Sequence, residues 1–149
     1  MNELNIRECT QRDLKQLAQI FIEAFREAPW HEEWPYDTAY KRLEMVMQTP
    51  RFVGYIAELD GEVMGGLLGN IEYWSEGDHY IIKELFVDKE KQGRGIARLL
   101  IGNVREELKR QGIGIEELVT SNSVKMINFY KNQGYSVNEE MVMMIRKKS

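Results

Sequence analysis

Apolar and polar positions along the chain switch between a period of two and a period of three to four, and the switches mark the elements. Leu4 and Ile6 alternate with polar neighbours up to Glu8, which predicts a short first strand. Thr10-Gln11-Arg12-Asp13 resembles a capping box, with Asp in place of the usual Glu. Leu14, Leu17, Ile20, Phe21, Ala24 and Phe25 then recur at helical spacing and predict a helix to about Ala28, closed by Pro29. Trp30 to Pro35 reads as an aromatic loop. Asp37 or Thr38 is expected to cap a second helix carrying Tyr40, Leu43, Val46 and Met47, which stops before Pro50.

The middle of the chain turns to strands. Phe52–Leu59, the Asp60-Gly61 turn and Glu62–Trp74 read as a hairpin, because the Asp-Gly pair supplies positive φ cheaply. After Glu76-Gly77-Asp78, Tyr80–Val87 is apolar on most positions of both faces, as a buried central strand should be. Ile96–Arg110 reads as a helix with Ile96, Leu99, Leu100, Val104 and Leu108 on one side, ended by Gly112 and Gly114. A strand is expected over Ile115–Ser121 and a short helix over Ser123–Asn132, with Met126, Ile127, Phe129 and Tyr130 inward and Gly134 as its stop. Tyr135–Val137 and Met141–Ile145 are expected to form a last hairpin. The predicted class is α/β (α+β): a mixed, mostly antiparallel central sheet with a parallel βαβ unit, flanked by about four helices.

Composition narrows this picture. At 149 residues, with three prolines and no linker-like stretch, the chain is read as one domain over 1–149. One cysteine and two histidines leave no disulfide framework and little for zinc, so no metal is expected. No apolar run approaches ~18 residues and the N-terminus has no basic-then-apolar pattern, so the expectation is a soluble, cytoplasmic protein without a membrane partner. A net charge of −4 disfavours nucleic acid as a partner.

The most informative stretch is Leu85-Phe86-Val87-Asp88-Lys89-Glu90-Lys91-Gln92-Gly93-Arg94-Gly95-Ile96-Ala97. A buried strand runs into a basic, glycine-bearing loop that opens a helix. Glycines let backbone approach an anion, the first-turn N–H groups point at it, and the helix dipole assists. Lys89, Lys91, Arg94 and Arg98 add positive charge, so the stretch suits a pyrophosphate; the bland alternative is a solvated turn. A dinucleotide fingerprint fails because Arg98 stands where Gly or Ala is needed, and no P-loop, Gly-x-Ser-x-Gly elbow or His-Glu-x-x-His is present.

Gln92-x-x-Gly95-x-Ala97 has the Gln/Arg-x-x-Gly-x-Gly/Ala form of the GNAT superfamily of N-acetyltransferases, and Phe129-Tyr130-Lys131-Asn132-Gln133-Gly134-Tyr135 resembles that family's second signature. The element order is similar over nearly the whole chain. The family often has Asn seven residues before the Tyr and Ala four before it; here Ser123 and Met126 stand there, with Asn122 one position early. The resemblance implies acetyl-CoA as cofactor, held by Leu85, Phe86, Val87, Gln92, Gly93, Arg94, Gly95, Ile96, Ala97, Ser121, Ser123, Met126 and Phe129. It also implies direct attack of an amine on the thioester. Cys9 has no neighbour in sequence to activate it and reads as a small core residue.

Three catalytic roles follow. Glu84 is the candidate base, expected to share a strand face with Tyr80, Ile82 and Phe86, where desolvation raises a carboxyl pKa. Its alternative is a structural ion pair with an Arg or Lys. The resemblance assigns polarisation of the thioester carbonyl to a strand N–H around Phe86 or Val87, and protonation of the leaving thiolate to Tyr130, whose alternative is a core aromatic. On the acceptor side, Trp30, Glu33 and Trp34, with His31 and Glu32 beside them, suit a cation through ring faces and carboxylates. Tyr73 and Trp74, after Glu72, are candidates for an opposite wall; the alternative is that the tryptophans plug the core edge.

The reading is an acetyl-CoA-dependent N-acetyltransferase acting on a small cationic amine of aminoglycoside or polyamine type. Its rivals are a protein N-terminal or lysine acetyltransferase and a catalytically silent CoA-binding regulatory module. Relatives that dimerise make a homodimer a further expectation, with the Met141, Met143, Met144 cluster either filling the core or seating a partner. The charge divides to match: residues 1–80 hold 7 Lys/Arg against 15 Asp/Glu, a balance of −8, and residues 81–149 hold 13 against 9, a balance of +4. The basic half carries the proposed pyrophosphate loop and the acidic half the proposed acceptor wall.

Overall fold

The computed structural model of the protein describes residues 4–148. Their contacts group into two compact units, one up to Val119 and one from Thr120.

The first unit is a five-stranded sheet in the order β1-β2-β3-β4-β5. The strands are β1 (Leu4–Glu8), β2 (Phe52–Leu59), β3 (Glu62–Glu72), β4 (His79–Val87) and β5 (Ile115–Leu118). The first three pairings are antiparallel and β4–β5 is parallel. Three helices belong to this unit: α1 (Leu14–Arg26), α2 (Tyr36–Met47) and α3 (Ile96–Arg110). The mixed sheet and the βαβ unit β4-α3-β5 are as the sequence predicts.

The expected capping box opens α1 through a 3-10 turn at Gln11–Asp13: the Asp13 carboxylate accepts the Thr10 N–H at 2.8 Å. Arg7 reaches the same carboxylate through both Nη atoms at 2.8 and 2.9 Å and also bonds Glu58. Burial pushes the Asp13 carboxyl up, but Arg7 and the Thr10 amide hold it below the usual range. Helix α2 begins two or three residues earlier than expected, at Tyr36 with Pro35 as its cap; the Pro35 carbonyl accepts the Ala39 N–H at 2.9 Å, so neither Asp37 nor Thr38 caps it. Pro35 has φ −62° with ψ 144°, the extended backbone usual for a residue that caps a helix.

One face of the sheet is covered by α1 and α2. Leu14, Leu17, Phe21, Ala39, Leu43 and Val46 form a continuous core there with Ile56, Leu68 and Phe86. Helix α3 packs on β2, β3 and β4 and buries Ile96, Leu100, Ile101, Val104 and Leu108. Leu99, expected on that buried side, is 45% exposed, and Ile101 takes its place. The spacing from Leu100 to Leu108 favours 100, 101, 104 and 108 as one stripe, with 99 at its margin.

Two irregularities reshape the sheet. The β2–β3 register shifts between Ala57 and Glu58. The β3–β4 register runs Leu68↔Glu84 and then Gly69↔Ile82, so Lys83 has no residue opposite it and forms a bulge. A bulge of one residue reverses which side chains face which way. Glu84 and Phe86 therefore share a face with Leu68 and Gly66, toward α1 and α2, whereas Tyr80 and Ile82 lie on the opposite face. The expectation that Glu84 shares a face with Tyr80 and Ile82 is thus corrected, and only the Phe86 part of it holds. The Tyr80 ring lies over Gly69, where a Cβ would come within 2.6 Å of it, and Tyr80 Oη donates to the Val53 carbonyl at 2.7 Å.

The second unit contains α4 (Val124–Asn132). Ser123 caps this helix, its Oγ accepting the Met126 N–H at 3.3 Å, and Gly134 with φ 96° follows its end. The expected last hairpin is not formed: residues 135–148 contain no strand, and Val137, Met141, Val142, Met143, Met144 and Ile145 are each more than half exposed.

Candidate active site

The stretch from β4 to α3 is ordered by its own hydrogen bonds. The Asp88 N–H donates to the Met64 carbonyl at 2.7 Å, continuing the β3–β4 ladder by one rung. Asp88 then turns the chain: its carbonyl accepts the Lys91 N–H at 2.8 Å and its Oδ1 accepts the Glu90 N–H at 2.9 Å. Gln92 Nε2 donates back to the Val87 carbonyl at 3.1 Å, which ties the loop to the strand end. Gly93 and Gly95 take φ of 81° and 79°, a region in which an L side chain is strained, and Gly95 is the N-cap of α3. Its carbonyl accepts the Leu99 N–H at 3.0 Å, so the amides of Ile96, Ala97 and Arg98 have no acceptor within the helix. Buried Ile96 anchors this end in the core.

This geometry fits a diphosphate. A Cβ placed on Gly93 or Gly95 would meet nothing within 4 Å, so the cradle is open. Among the described residues no carboxylate pairs with Lys89, Lys91, Arg94 or Arg98, leaving four cations beside free helix N–H groups.

Strand β4 supplies a second feature. Its parallel partner β5 pairs only with His79–Ile82, ending at Ile82↔Leu118. From Lys83 to Val87, β4 has β3 on one side and no strand on the other among the described residues. Amides alternate in direction along a strand. Since Asp88 N–H points to β3, those of Phe86 and Glu84 do too, and those of Leu85 and Val87 point to the open edge. Of the two residues named for carbonyl polarisation, Val87 has its N–H directed there and Phe86 does not.

Glu84 lies just past the bulge, its side chain 13% exposed. Arg42, on α2, donates from Nε to Glu84 Oε2 at 2.9 Å. Burial pushes the Glu84 carboxyl above its ordinary value; Arg42 works against that and the charge of Glu32 adds to it. Sequence reasoning foresaw an ion pair at Glu84 but not its partner. The only local signal for Arg42 is its place three residues after Ala39 and four before Val46, at the margin of the buried stripe of α2.

Between α1 and α2, Trp34 packs edge-on against Phe21 at 4.8 Å, and Trp30 against Phe25 at 5.3 Å. Phe21 in turn meets Phe86 edge-on at 5.3 Å, so the loop is stapled to β4 by rings. Both tryptophans stay partly exposed, and Trp34 Nε1 donates to Glu32 at 2.9 Å. Glu33 lies 3.5 Å from Arg26, and His31 is exposed. Tyr73 and Trp74 lie past the end of β3, beside His79 rather than Glu84. Tyr73 is 82% exposed, with the Arg51 guanidinium 4.5 Å from its ring centroid. Trp74 stacks on the His79 ring at 5.3 Å.

Cys9 is buried and unsuited to nucleophilic work, since desolvation pushes its thiol up to about 12. No group of side chains able to hold a metal ion is found among the described residues. No helix there is long and apolar enough to cross a membrane.

In the second unit Tyr130 is buried, with Phe129 at 5.0 Å and Tyr135 at 5.6 Å, both edge-on. Its carbonyl accepts the Tyr135 N–H at 3.0 Å, closing the turn around Gly134. Ser123 stands where the family often has Asn and is occupied as the helix cap; the Ser121 carbonyl accepts its N–H at 2.8 Å. Met126 and Phe129 are partly buried.

Comparison with known proteins agrees with this architecture. The profile of the acetyltransferase (GNAT) family matches residues 14–135. An N-acetyltransferase of Methanocaldococcus jannaschii is 30% identical, over 96% of this chain and 91% of its own length. A second from the same organism is 28% identical over 90% of this chain, which spans 61% of that relative's length. Among solved structures, a possible acetyltransferase from Clostridium difficile 630 superposes with a TM-score of 0.80 at 18% identity, covering 97% of this chain and 99% of its own. An aminoglycoside N-acetyltransferase in complex with CoA superposes with a TM-score of 0.76 at 21% identity, covering 100% and 97%. At such identities the likeness is one of fold, but the profile match spans most of the chain: the protein belongs to the acetyltransferase (GNAT) family.

Proposed function

We propose that this chain transfers an acetyl group from acetyl-CoA directly to a primary amine on a small cationic acceptor. The observation that carries the reading is the open edge of β4: two amides aimed at that edge, Leu85 and Val87, run directly into a glycine cradle with four cations that no carboxylate among the described residues pairs with. That arrangement suits an extended chain bonded along a strand edge and ending in a diphosphate. The CoA complex of the structurally similar aminoglycoside enzyme supports the same cofactor.

When bound, acetyl-CoA supplies an acetyl group on a thioester, whose carbon bonds to the acceptor nitrogen as the carbon–sulfur bond breaks. The residues of the chain serve that exchange. Gly93, Gly95 and the amides of Ile96 and Ala97 hold the phosphates, with Gln92 fixing the loop against Val87 and Arg94 adding charge. The Val87 N–H is the donor available to a carbonyl oxygen along the edge, and a preorganised donor of this kind contributes roughly 3–4 kcal/mol in other enzymes. Glu84 takes the proton from the acceptor's ammonium and passes it to solvent. Its raised pKa brings it nearer to that task than an exposed carboxylate would be. Tyr130, by its place in the Phe129-Tyr130…Gly134-Tyr135 signature, gives a proton to the departing sulfur and is reprotonated, through solvent, by the second proton that the nitrogen loses as it becomes an amide. Ser121, Ser123, Met126 and Phe129 complete the cofactor contacts by the same resemblance.

The cationic acceptor is supported by Trp30 and Trp34 around Glu32 and Glu33, partly buried rings beside exposed carboxylates. Tyr73 and Trp74 belong to the acceptor reading with less support, since Arg51 and His79 already occupy their ring faces. A homodimer is supported by the exposed apolar residues between Val137 and Ile145, an unusual surface for a monomer.

The test is thiol release from acetyl-CoA with a panel of diamines, aminoglycosides, amino acids and peptides. Saturable release with small polycationic amines is expected. Release with peptides alone would move the reading to a protein acetyltransferase, and CoA binding without amine-dependent release would move it to a silent CoA-binding module.

A further inference from the structure

Glu84 is held asymmetrically. Arg42 Nε bonds Oε2 at 2.9 Å, while among the described residues Oε1 has no partner, and it is not sealed from solvent. Arg42 is itself 31% exposed, and among the described residues only its Nε finds an acceptor. Charge reaches Glu84 from two elements: Arg42 on α2 and Glu32 in the α1–α2 loop, the latter fixed by Trp34 Nε1 at 2.9 Å. The other elements against Glu84 present apolar groups, with Leu68 opposite it on β3 and Phe21 of α1 against the neighbouring Phe86. A purely structural ion pair would gain from using both carboxylate oxygens in a bidentate fork. This one-point contact leaves a single oxygen facing out.

We propose that Arg42 is a positioning residue for Glu84, pinning Oε2 so that Oε1 faces the acceptor amine and keeping the carboxyl ionised against its apolar wall. The inference rests on Glu84 as the base, and it assigns to α2 the control of that base. Without the guanidinium, desolvation and Glu32 act unopposed and the carboxyl holds its proton to higher pH. The acceptor then meets a neutral acid that cannot take its proton.

The experiment has two readouts. The first is a direct carbon-13 titration of the Glu84 carboxyl in the free protein. Arg42→Gln is expected to move its midpoint to higher pH, Arg42→Lys to move it less, and Glu32→Gln to move it to lower pH. The second is the pH profile of kcat. Arg42→Gln is expected to displace the acid limb upward, losing about ten-fold in rate on that limb for each pH unit of displacement while recovering toward the plateau at high pH. Arg42→Lys is expected to restore most of the limb. An unmoved Glu84 midpoint in Arg42→Gln overturns the inference. So does a kcat loss of the same size at every pH, which is what loss of packing alone would produce. Should Arg42→Gln fail to fold, Arg42→Lys and the exposed-loop variant Glu32→Gln carry the test, and unmoved midpoints in both overturn it. An acid limb that persists unchanged in Glu84→Gln instead overturns the reading of Glu84 as base, and the carbon-13 titration still reports on Arg42.

Discussion

From His79 to Ile82, β4 is bonded to β3 on one side and to β5 on the other; from Glu84 to Val87 it pairs with β3 alone among the described residues. The closed half commits its polar side chain as fully as its backbone. His79 lies between Glu117 on Nδ1 at 2.7 Å and Glu76 on Nε2 at 3.0 Å, under the Trp74 ring. Ionised carboxylates only accept, so the protonated ring, with a hydrogen on both nitrogens, is the form that satisfies both contacts. The open half leaves two amides, one carboxylate oxygen and a glycine cradle without partners among the described residues. The Lys83 bulge and the end of β5 fall at the same point, so one break in regularity both frees the edge and turns Glu84 toward α2. A strand of apolar residues thus separates stability from chemistry along its length.

Breaking the open half should cost activity and leave the fold intact. The largest expected effect is Glu84→Gln, which should lower kcat by about 100-fold or more, the range of general base catalysis. Calorimetry should find CoA affinity unchanged. Next, Gly95→Val forces a β-branched residue into φ near 79° and displaces the helix-end amides. Loss of one or two charge-assisted contacts should weaken CoA binding by roughly 30-fold. A Kd within two-fold of wild type would remove the cradle from the site. Tyr130→Phe should keep CoA affinity and lower turnover about ten-fold or more.

Breaking the closed half should change stability instead. Hydrogen bonds to Glu117 and then Glu76 raise the His79 pKa despite its burial. The imidazolium therefore contributes fully below the ordinary histidine value near ~6.5. That contribution is lost as pH rises through the higher folded value. Urea denaturation should show stability falling over that interval in wild type, and a flatter profile in His79→Gln with CoA affinity preserved. An unchanged slope would place the pH dependence elsewhere.

What the sequence made legible was local. The Asp60-Gly61 turn between alternating runs, the stripe from Leu14 to Phe25 and the glycine loop each carry their signal within a few residues. The structure adopts all three, with Gly61 at φ 82°. The bulge was hidden because β4 is apolar on both faces, so a one-residue insertion leaves no mark in the pattern, and the face of Glu84 was misread with it. Arg42 was hidden because it pairs across 42 positions, and nothing local distinguishes it from the other arginines. The last hairpin failed for the converse reason. Met141 to Ile145 have strand-like residues, but pairing is a property of two segments, and residues 135–148 form none.

Amide hydrogen exchange along β4, with and without CoA, tests the central claim most directly. In the free protein the Leu85 and Val87 amides should exchange fast while Ile81, Glu84 and Phe86 are protected, and CoA should slow Leu85, Val87 and Ile96–Arg98 selectively. Uniform protection along β4 in the free protein, or CoA-induced protection confined to the His79 end, would contradict it.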